Sequence, residues 1–150
     1  MSMNKERQLL ENSIFVEVMK AREHYVNAFS ALFKKNRLTG PQYNVLRILR
    51  GAGPKGLPSL EIGKRLIHSV PDITRLIDRL SVQKLVERKR CQEDRRVVYA
   101  TLTEKGREVL KTLDPLTEEI HHNLCSHMSV EDLKELNRLL KRCQEQKIEE

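Results

Sequence analysis

VERKRCQEDRRVVYATLT, residues 86–103, follows directly on the periodic stretch 69–85 and decides the fold of this chain. In the periodic stretch, apolar residues recur at three- and four-residue steps, which predicts a helix over about residues 70–83. The quoted stretch carries strand signals at 86–90 and 97–102, on either side of a polar turn at 91–96. A helix therefore leads into a short hairpin that is rich in arginine and lysine.

A helix followed by a basic hairpin is the shape of a winged helix-turn-helix, which places one helix in the major groove of DNA and a loop beside the neighbouring backbone. The other helices are predicted from their apolar stripes and from Ser or Thr caps, at about residues 5–34, 41–50, 59–67, 104–127 and 130–144. The helix at 70–83 is expected to be capped by Ser69. Composition makes 51–58 a loop, and Pro115 is expected to kink or split its helix.

We therefore expect a mainly α protein with a small β-hairpin, built as a single domain of 150 residues. Residues 36–103 would form a winged helix lobe, and residues 1–35 and 104–150 a helical dimerisation region. The terminal helices carry more apolar surface than the small lobe can cover, which predicts a two-fold dimer. The alternative is a three-helix cap that folds onto its own lobe.

The net charge of +7 is concentrated in the middle of the chain. Residues 24–103 hold sixteen basic and six acidic side chains, whereas the flanking segments are neutral or acidic. Between Glu23 and Glu61 there is no acidic residue. This asymmetry indicates a polyanionic partner for the middle segment, although a solvated basic face gives the same pattern.

The sequence also disfavours several classes of protein. No apolar run reaches membrane-spanning length and the N-terminal stretch lacks a signal peptide, so we expect a soluble, cytoplasmic protein without a membrane partner. Three cysteines, an odd number, argue against a disulfide framework. No nucleophile–base pair, phosphate-binding glycine loop or set of paired carboxylates indicates an enzyme, and no cofactor is expected.

The predicted helix at 70–83 has an apolar face and a polar face. Short polar side chains and arginines suit contacts to phosphates and base edges in a groove, and a cap at Ser69 would leave backbone N–H groups for a phosphate. The alternative is an ordinary amphipathic helix with a solvated face. The candidate DNA contacts on this element are Ser69, Pro71, Asp72, Thr74, Arg75 and Arg79.

The predicted hairpin crowds like charges together, which contributes no stability to a strand pair. The crowding is explained if phosphates neutralise it, or if one arginine enters the minor groove, which is narrow in A·T-rich DNA. Asp94 is expected to brace Arg96 by a charge-assisted hydrogen bond. The alternative is an exposed turn with a surface ion pair. The candidate DNA contacts on the hairpin are Arg88, Arg90, Asp94, Arg95 and Arg96.

These elements resemble the MarR family of bacterial winged-helix regulators. The family pattern has Thr-Arg in the recognition helix, then L-V-x-R, then D-x-R at the wing and L-T-x-x-G after it. In this chain the matching positions are 74–75, 85–88, 94–96 and 102–106. Six helices and one wing extend the likeness over nearly the whole chain. Val70 and Pro58 depart from the pattern, which often has a small polar residue and a capping Ser or Thr there.

The resemblance implies a homodimer whose two recognition helices enter successive major grooves of a pseudo-palindromic operator in double-stranded DNA. It implies that Arg96 probes the minor groove. It also implies a transcriptional regulator, for which we expect a repressor relieved by a small-molecule ligand. The alternative is a basic helical module that binds protein or RNA without operator specificity, although the aromatic residues that RNA readers use for stacking are nearly absent.

The effector of such a regulator would be a small aromatic or anionic molecule between the dimerisation helices and the lobe. The candidate ligand-binding residues are His24, Tyr25, Tyr43 and Arg47, with packing as the alternative role of the two tyrosines. No metal site is predicted. His121 and Cys125 lie four residues apart on one helix face and form a weak candidate pair of zinc ligands.

Overall fold

Helices dominate the computed structural model, which describes residues 2–91, 94 and 96–145. Within those residues the helices are α1 (Ser2–Lys35), α2 (Gly40–Ala52), α3 (Ser59–Arg65), α4 (Ile73–Val82), α5 (Glu104–Cys125) and α6 (Val130–Cys143). The strands are β1 (Leu57–Pro58), β2 (Val86–Arg90) and β3 (Val98–Leu102), and a 3-10 turn, Gly53–Lys55, precedes β1. The predicted fold class, mainly α with a small β-hairpin, is confirmed.

The sheet has three antiparallel strands in the order β1–β3–β2. β2 and β3 form the predicted hairpin, with Arg90 opposite Val98 at the end next to the turn. β1 was not predicted, because its two residues lie in a stretch that has the composition of a loop. Gly56 permits the close pairing of β1 with β3: its φ is +68°, and a Cβ there would lie 2.1 Å from the carbonyl oxygen of Ala100.

α4 begins three residues later than predicted, and its N-cap is Asp72 rather than Ser69. The Asp72 carboxylate accepts a hydrogen bond of 2.9 Å from the backbone N–H of Arg75. Pro71 accounts for the shift, because a proline disfavours helical backbone at the residue before it, here Val70. The prediction of a helix start at Ser69, with N–H groups beside it for a phosphate, is therefore wrong.

One hydrophobic core joins the lobe to the helices on either side of it. Phe33 of α1 and Leu110 and Leu113 of α5 are buried together with residues of α2, α3, α4 and the sheet. α2 lies at the centre, where Leu46 and Leu49 are fully buried. Because a close-packed core transmits displacement rather than absorbing it, a movement of α4 would be felt by the helices packed around it.

Two helices end with a basic residue in the left-handed conformation. Arg37 (φ 56°) follows α1, and Lys84 (φ 61°) follows α4. After Lys84, the N–H of Leu85 donates to the carbonyl of Leu80 at 3.0 Å, and the equivalent bond after α1 is 2.9 Å. This is the Schellman arrangement, in which the left-handed position is usually glycine. It turns the chain from α1 into α2, and from α4 into the hairpin.

α5 runs without a break through Pro115, so the predicted split near Asp114 is wrong. The core holds the helix on both sides of the proline, since Leu113 and Thr117 are both buried. One missing backbone hydrogen bond is therefore tolerated. Among the described residues, no helix combines the length and the apolar character needed to cross a lipid bilayer.

The terminal helices expose much of their apolar surface. No residue of α6 is buried, and the side chain of Phe15 on α1 is 67% exposed. Large apolar residues that are exposed on these two helices are Leu9, Leu10, Ile14, Phe15, Val16, Val18, Met19, Tyr25, Val26, Val130, Leu136, Leu139 and Leu140. A single chain thus leaves an apolar surface of the kind that normally lies in an interface.

Candidate nucleic-acid interface and effector cavity

α4 turns one face to the core and the other to solvent. Ile77 and Leu80 are buried, as their three-residue spacing predicts for the inward face. The predicted contacts that are exposed on and before the helix are Ser69, Pro71, Asp72, Thr74, Arg75 and Arg79. Thr74 and the two arginines are therefore accessible to a groove, whereas the carboxylate of Asp72 is engaged as the helix cap.

An ion pair joins α4 to the hairpin. The guanidinium Nη1 of Arg88 on β2 donates to the carboxylate Oδ1 of Asp78 on α4. The side chain of Arg88 is 33% exposed and that of Asp78 is 47% exposed. Arg88, a predicted DNA contact, therefore lies against α4, and its charge is partly neutralised. The pair couples the orientation of the helix to that of the hairpin.

The turn between β2 and β3 is organised by Asp94. Its Oδ1 accepts a hydrogen bond of 2.9 Å from the backbone N–H of Arg96, and its carbonyl accepts one of 3.0 Å from Val97. The predicted charge-assisted hydrogen bond between Asp94 and Arg96 is present. Its donor is the backbone N–H, because an aspartate side chain readily bonds to the N–H two residues on.

The cations of the hairpin lie on its exposed side. β2 is exposed from Glu87 to Arg90, and Arg96 in the turn is exposed as well. Arg95, the remaining predicted contact of the hairpin, lies outside the described residues. The hairpin, which we call the wing (86–102), therefore offers Arg90 and Arg96 to a polyanion.

The carboxyl end of α4 is attached to the first turn of α5. The hydroxyl of Thr103 donates to the carbonyl of Lys84 at 2.8 Å. Nζ of Lys105 donates to the carbonyl of Gln83 at 2.9 Å. Thr103 also caps α5 by accepting from the N–H of Gly106 at 3.0 Å. A Cβ on Gly106 would lie 2.4 Å from the carbonyl oxygen of Leu85. The L-T-x-x-G motif thus attaches the carboxyl end of α4 to the start of α5.

A cavity of about 690 Å³ lies between α1, α2 and the segment that joins α3 to α4. Its floor is aromatic: the ring centroids of Phe29 and Phe33 are 5.8 Å apart, and those of Phe33 and Tyr43 are 4.8 Å apart. Leu66 and Ile67 form part of the opposite wall. The volume falls in the range of small-molecule sites.

The wall of this cavity is positively charged. Its basic side chains are Arg22, Lys34, Arg37 and Arg47, and the described lining contains no acidic residue. Among the predicted ligand contacts, Tyr25, Tyr43 and Arg47 line the cavity. His24, the fourth predicted contact, is not part of the described lining. Its ring packs edge-on against the ring of Tyr25, with centroids 6.5 Å apart. Aromatic rings beneath cations suit a flat anion.

The weak candidate metal ligands, His121 and Cys125, contact α1. Sγ of Cys125 lies 3.2 Å from the hydroxyl of Tyr25, and this hydrogen bond, with burial, raises the pKa of Tyr25 above its ordinary value. The ring of His121 lies 4.9 Å from that of Phe29. Across the part of the chain that the structure describes, no group of three or more potential metal ligands occurs. Both residues thus serve to join α5 to α1.

Two polar contacts join α2 to α5. Arg50 donates to both carboxylate oxygens of Asp114, at 2.5 and 3.3 Å, and these hydrogen bonds raise the pKa of the guanidinium. The buried hydroxyl of Tyr43 lies 3.3 Å from that of Thr117. Tyr43 is therefore a packing residue and a cavity residue at once, so the two roles considered for it are compatible.

Asn44 is a cavity residue that the sequence analysis did not identify. Its Oδ1 accepts a hydrogen bond of 2.9 Å from the backbone N–H of Ile67, across the cavity from α1. The helical spacing from Arg47, three residues on, was the available signal, because such residues share a helix face. Arg22 and Arg37 were missed because their approach to the cavity depends on the path of α1.

The chain is similar to known transcriptional regulators. A family model described as transcriptional regulator SarA/Rot matches residues 27–113, more than half of the chain. The crystal structure of a MarR transcription factor from Planctomyces limnophilus is 36% identical, with a TM-score of 0.71, over 87% of this chain and 94% of that one. The homoprotocatechuate degradative operon repressor of Escherichia coli is 24% identical over 131 residues, 87% of each chain. Escherichia coli MarR, crystallised with operator DNA, is similar in fold, with a TM-score of 0.78 and 22% identity over 87% of this chain and 93% of that one.

Proposed function

The chain belongs to the MarR family of winged-helix transcriptional regulators, and from this premise we propose that it is a homodimeric, sequence-specific DNA-binding repressor. Its operator would be a pseudo-palindrome, read by one α4 and one wing from each subunit. The observation that carries this proposal is the exposure of Thr74, Arg75 and Arg79 on α4, next to a wing that exposes Arg90 and Arg96. Short polar and guanidinium groups of this kind contact base edges and phosphates.

The wing and α4 would act as one unit on the duplex. The Asp78–Arg88 ion pair sets the angle between them, and the attachment of Thr103 to the end of α4 sets their position on α5. Arg96, at the tip of the wing, would then reach the minor groove while α4 occupies the major groove. Arg95 is proposed to support the same contact. The fold of a relative crystallised with operator DNA is compatible with this placement.

A second copy of the chain would cover the apolar surface of α1 and α6. The side chains of Leu9 and Phe15 are 62% and 67% exposed, which is costly for a chain in water. Joining two such surfaces around a two-fold axis would bury both at once. In the dimer that we propose, the two α4 helices lie on one side. The helices would then meet successive major grooves, about 10 base pairs apart.

The effector would be a small aromatic anion held in the cavity between α1 and α2. The aromatic rings of Phe33 and Tyr43 form its floor, and Arg47, whose Cζ lies 6.0 Å from the centroid of Tyr43, stands at its edge. A relative at 24% identity is named for control of an operon that degrades an aromatic acid. Binding of such an anion would relieve repression.

This role requires no catalysis and no cofactor, and a regulator of transcription would act in the bacterial cytoplasm, where the chromosome lies. The named relatives are transcriptional regulators rather than enzymes.

DNA binding is tested by selecting duplexes from a random library and measuring their affinity by fluorescence anisotropy from 50 to about 300 mM salt. The logarithm of the association constant should fall linearly with the logarithm of salt concentration, with a slope near −0.9 per phosphate contact. Arg75→Ala and Arg96→Ala should weaken binding by about 1–3 kcal/mol each. Lys134→Ala, an exposed cation of α6, is the matched control and should bind normally. No selected duplex, a flat salt dependence, or an equal preference for single-stranded RNA would contradict the proposal.

A further inference from the structure

The segment 66–72 joins α3 to α4 and also forms a wall of the effector cavity. Leu66, Ile67 and His68 line the cavity, and Ile67 is 79% exposed. The other end of the segment is Asp72, whose carboxylate caps α4. Any displacement of this wall therefore moves the residues that set the start of the proposed recognition helix.

One side chain connects the segment to the core of the lobe. Oδ1 of Asn44, on the largely buried α2, accepts the hydrogen bond of 2.9 Å from the backbone N–H of Ile67. Within the described residues, no other hydrogen bond joins positions 67–71 to another element. Asn44 also lines the cavity beside Tyr43 and Arg47. The carboxamide therefore lies between the ligand space and the segment that leads to α4.

We propose that Asn44 is the positioning residue through which occupancy of the cavity changes the placement of α4. This inference rests on the proposed function and concerns the regulation of the same site. In the empty cavity, Asn44 holds Ile67 and keeps the segment 66–72 in the conformation that binds DNA. A carboxylate that enters the cavity accepts a hydrogen bond from the Asn44 amide Nδ2, which has no hydrogen-bond partner among the described residues.

A ligand that accepts from Nδ2 need not displace Ile67 from Oδ1 directly. It would turn the carboxamide toward the cavity, and that rotation would move Oδ1 away from the N–H of Ile67. Without this hydrogen bond the segment 66–72 is less ordered, and ordering it again on DNA costs free energy. By linkage, DNA bound to α4 must lower the affinity for the effector by the same factor as the effector lowers the affinity for DNA.

Two substitutions separate the two hydrogen-bonding roles of the carboxamide. Asn44→Ala removes the acceptor for Ile67 and the donor for an anion. Asn44→Asp has nearly the same shape and keeps the acceptor, but replaces the donor by a negative charge that repels an anion. Asn123→Ala, at an exposed position of α5, is the matched control for loss of an asparagine.

The test combines amide NMR with DNA affinity for the full-length dimer. In Asn44→Ala, we expect faster exchange of the Ile67 amide, chemical-shift changes at Thr74 and Arg75, and about fivefold weaker DNA binding, as expected for one lost hydrogen bond. Asn44→Asp should restore the exchange rate of the Ile67 amide and the DNA affinity to within twofold of their wild-type values. This rescue separates positioning from a general loss of stability, which thermal unfolding of each variant measures in parallel.

The second part of the test adds an effector, the tightest-binding member of a series of benzoate and hydroxybenzoates. In the wild type it should weaken DNA binding and shift the Ile67 amide, whereas Asn44→Ala and Asn44→Asp should respond at least fivefold less. Wild-type DNA affinity in Asn44→Ala, or an equal response to the effector in all three proteins, overturns the proposal. If the wild type binds no duplex, the proposed function fails, while the Ile67 and Thr74 amides still report whether Asn44 positions α4.

Discussion

Arg88 on β2 pairs with Asp78 on α4, so the first strand of the wing is attached to the proposed recognition helix at its middle turn. Both side chains are partly exposed, and a pair of this kind contributes only about 0.2–1 kcal/mol to stability. Its importance is therefore geometric. It would bias the angle at which the wing leaves α4, which determines whether both can contact one face of a duplex.

A charge exchange tests this geometric role. Asp78→Ala and Arg88→Ala should each weaken operator binding by about 1 kcal/mol, and the double variant should lose less than the sum, because the two act through one contact. The exchanged variant, Asp78→Arg with Arg88→Asp, should recover part of the affinity. A double-mutant cycle by anisotropy measures the coupling. If Arg88 instead contacts phosphate by itself, the losses will simply add and the exchange will restore nothing.

Gly106 should be intolerant of a side chain. Gly106→Ala places a Cβ 2.4 Å from the carbonyl oxygen of Leu85 and 2.6 Å from Cδ1 of Leu102, so α5 must shift away from the end of α4. We expect a loss of about 1–3 kcal/mol in the free energy of unfolding, measured by urea denaturation.

Gly51 provides the matched control for that substitution. It lies within α2, and a Cβ there meets nothing within 4 Å. Gly51→Ala should therefore be neutral or stabilising by up to about 1 kcal/mol, because alanine favours a helix. Equal effects of the two substitutions would show that the close approach at Gly106 is not a constraint.

The left-handed residue after α4 predicts a stabilising substitution. Lys84 has a φ of 61°, which costs a residue with a side chain about 1 kcal/mol relative to glycine. Lys84→Gly should therefore raise the free energy of unfolding by about 0.5–1 kcal/mol. Lys111→Gly, at an exposed position inside α5, should lower it by about 1 kcal/mol. Destabilisation by both would contradict the conformation described for Lys84.

The proposed dimer would depend on apolar residues of the terminal helices. Phe15→Asp or Leu136→Asp should place an uncompensated charge in the interface and dissociate the dimer into chains of 17.5 kDa. Sedimentation velocity across a concentration series measures the shift. Lys134→Asp, which lies off the apolar stripe of α6, should remain dimeric. Dimeric behaviour of Phe15→Asp and Leu136→Asp would place the interface elsewhere.

Much of the fold followed from local signals in the sequence. The hairpin, α2 and α6 were predicted within two residues of their ends, because caps such as Thr39 and Ser129 and regular apolar spacing determine them locally. The start of α4 was misplaced because Ser69 offered a good cap while Pro71 prevented its use. β1 was missed because it exists only by pairing with β3, which is a contact distant in sequence.

The candidate site was predictable in its residue types but not in its contacts. The exposure of Arg75, Arg90 and Arg96 followed from the polar face of α4 and the charge of the hairpin. The pairing of Arg88 with Asp78 and the bond from Ile67 to Asn44 depend on how separate elements pack, and no local pattern encodes that. The basic cavity wall likewise assembles residues that are far apart along the chain.

Whether two subunits read a pseudo-palindromic operator is tested by hydroxyl-radical footprinting of the wild-type protein on its selected duplex, because the footprint reports how many helices and wings meet the DNA. Two protected zones should appear, related by two-fold symmetry and separated by about one helical turn, 10–10.5 base pairs. Arg96→Ala should lose the protection that the wings give at the outer edges while keeping that of α4. A single protected zone, or continuous protection without symmetry, would contradict a dimer that reads a pseudo-palindromic operator.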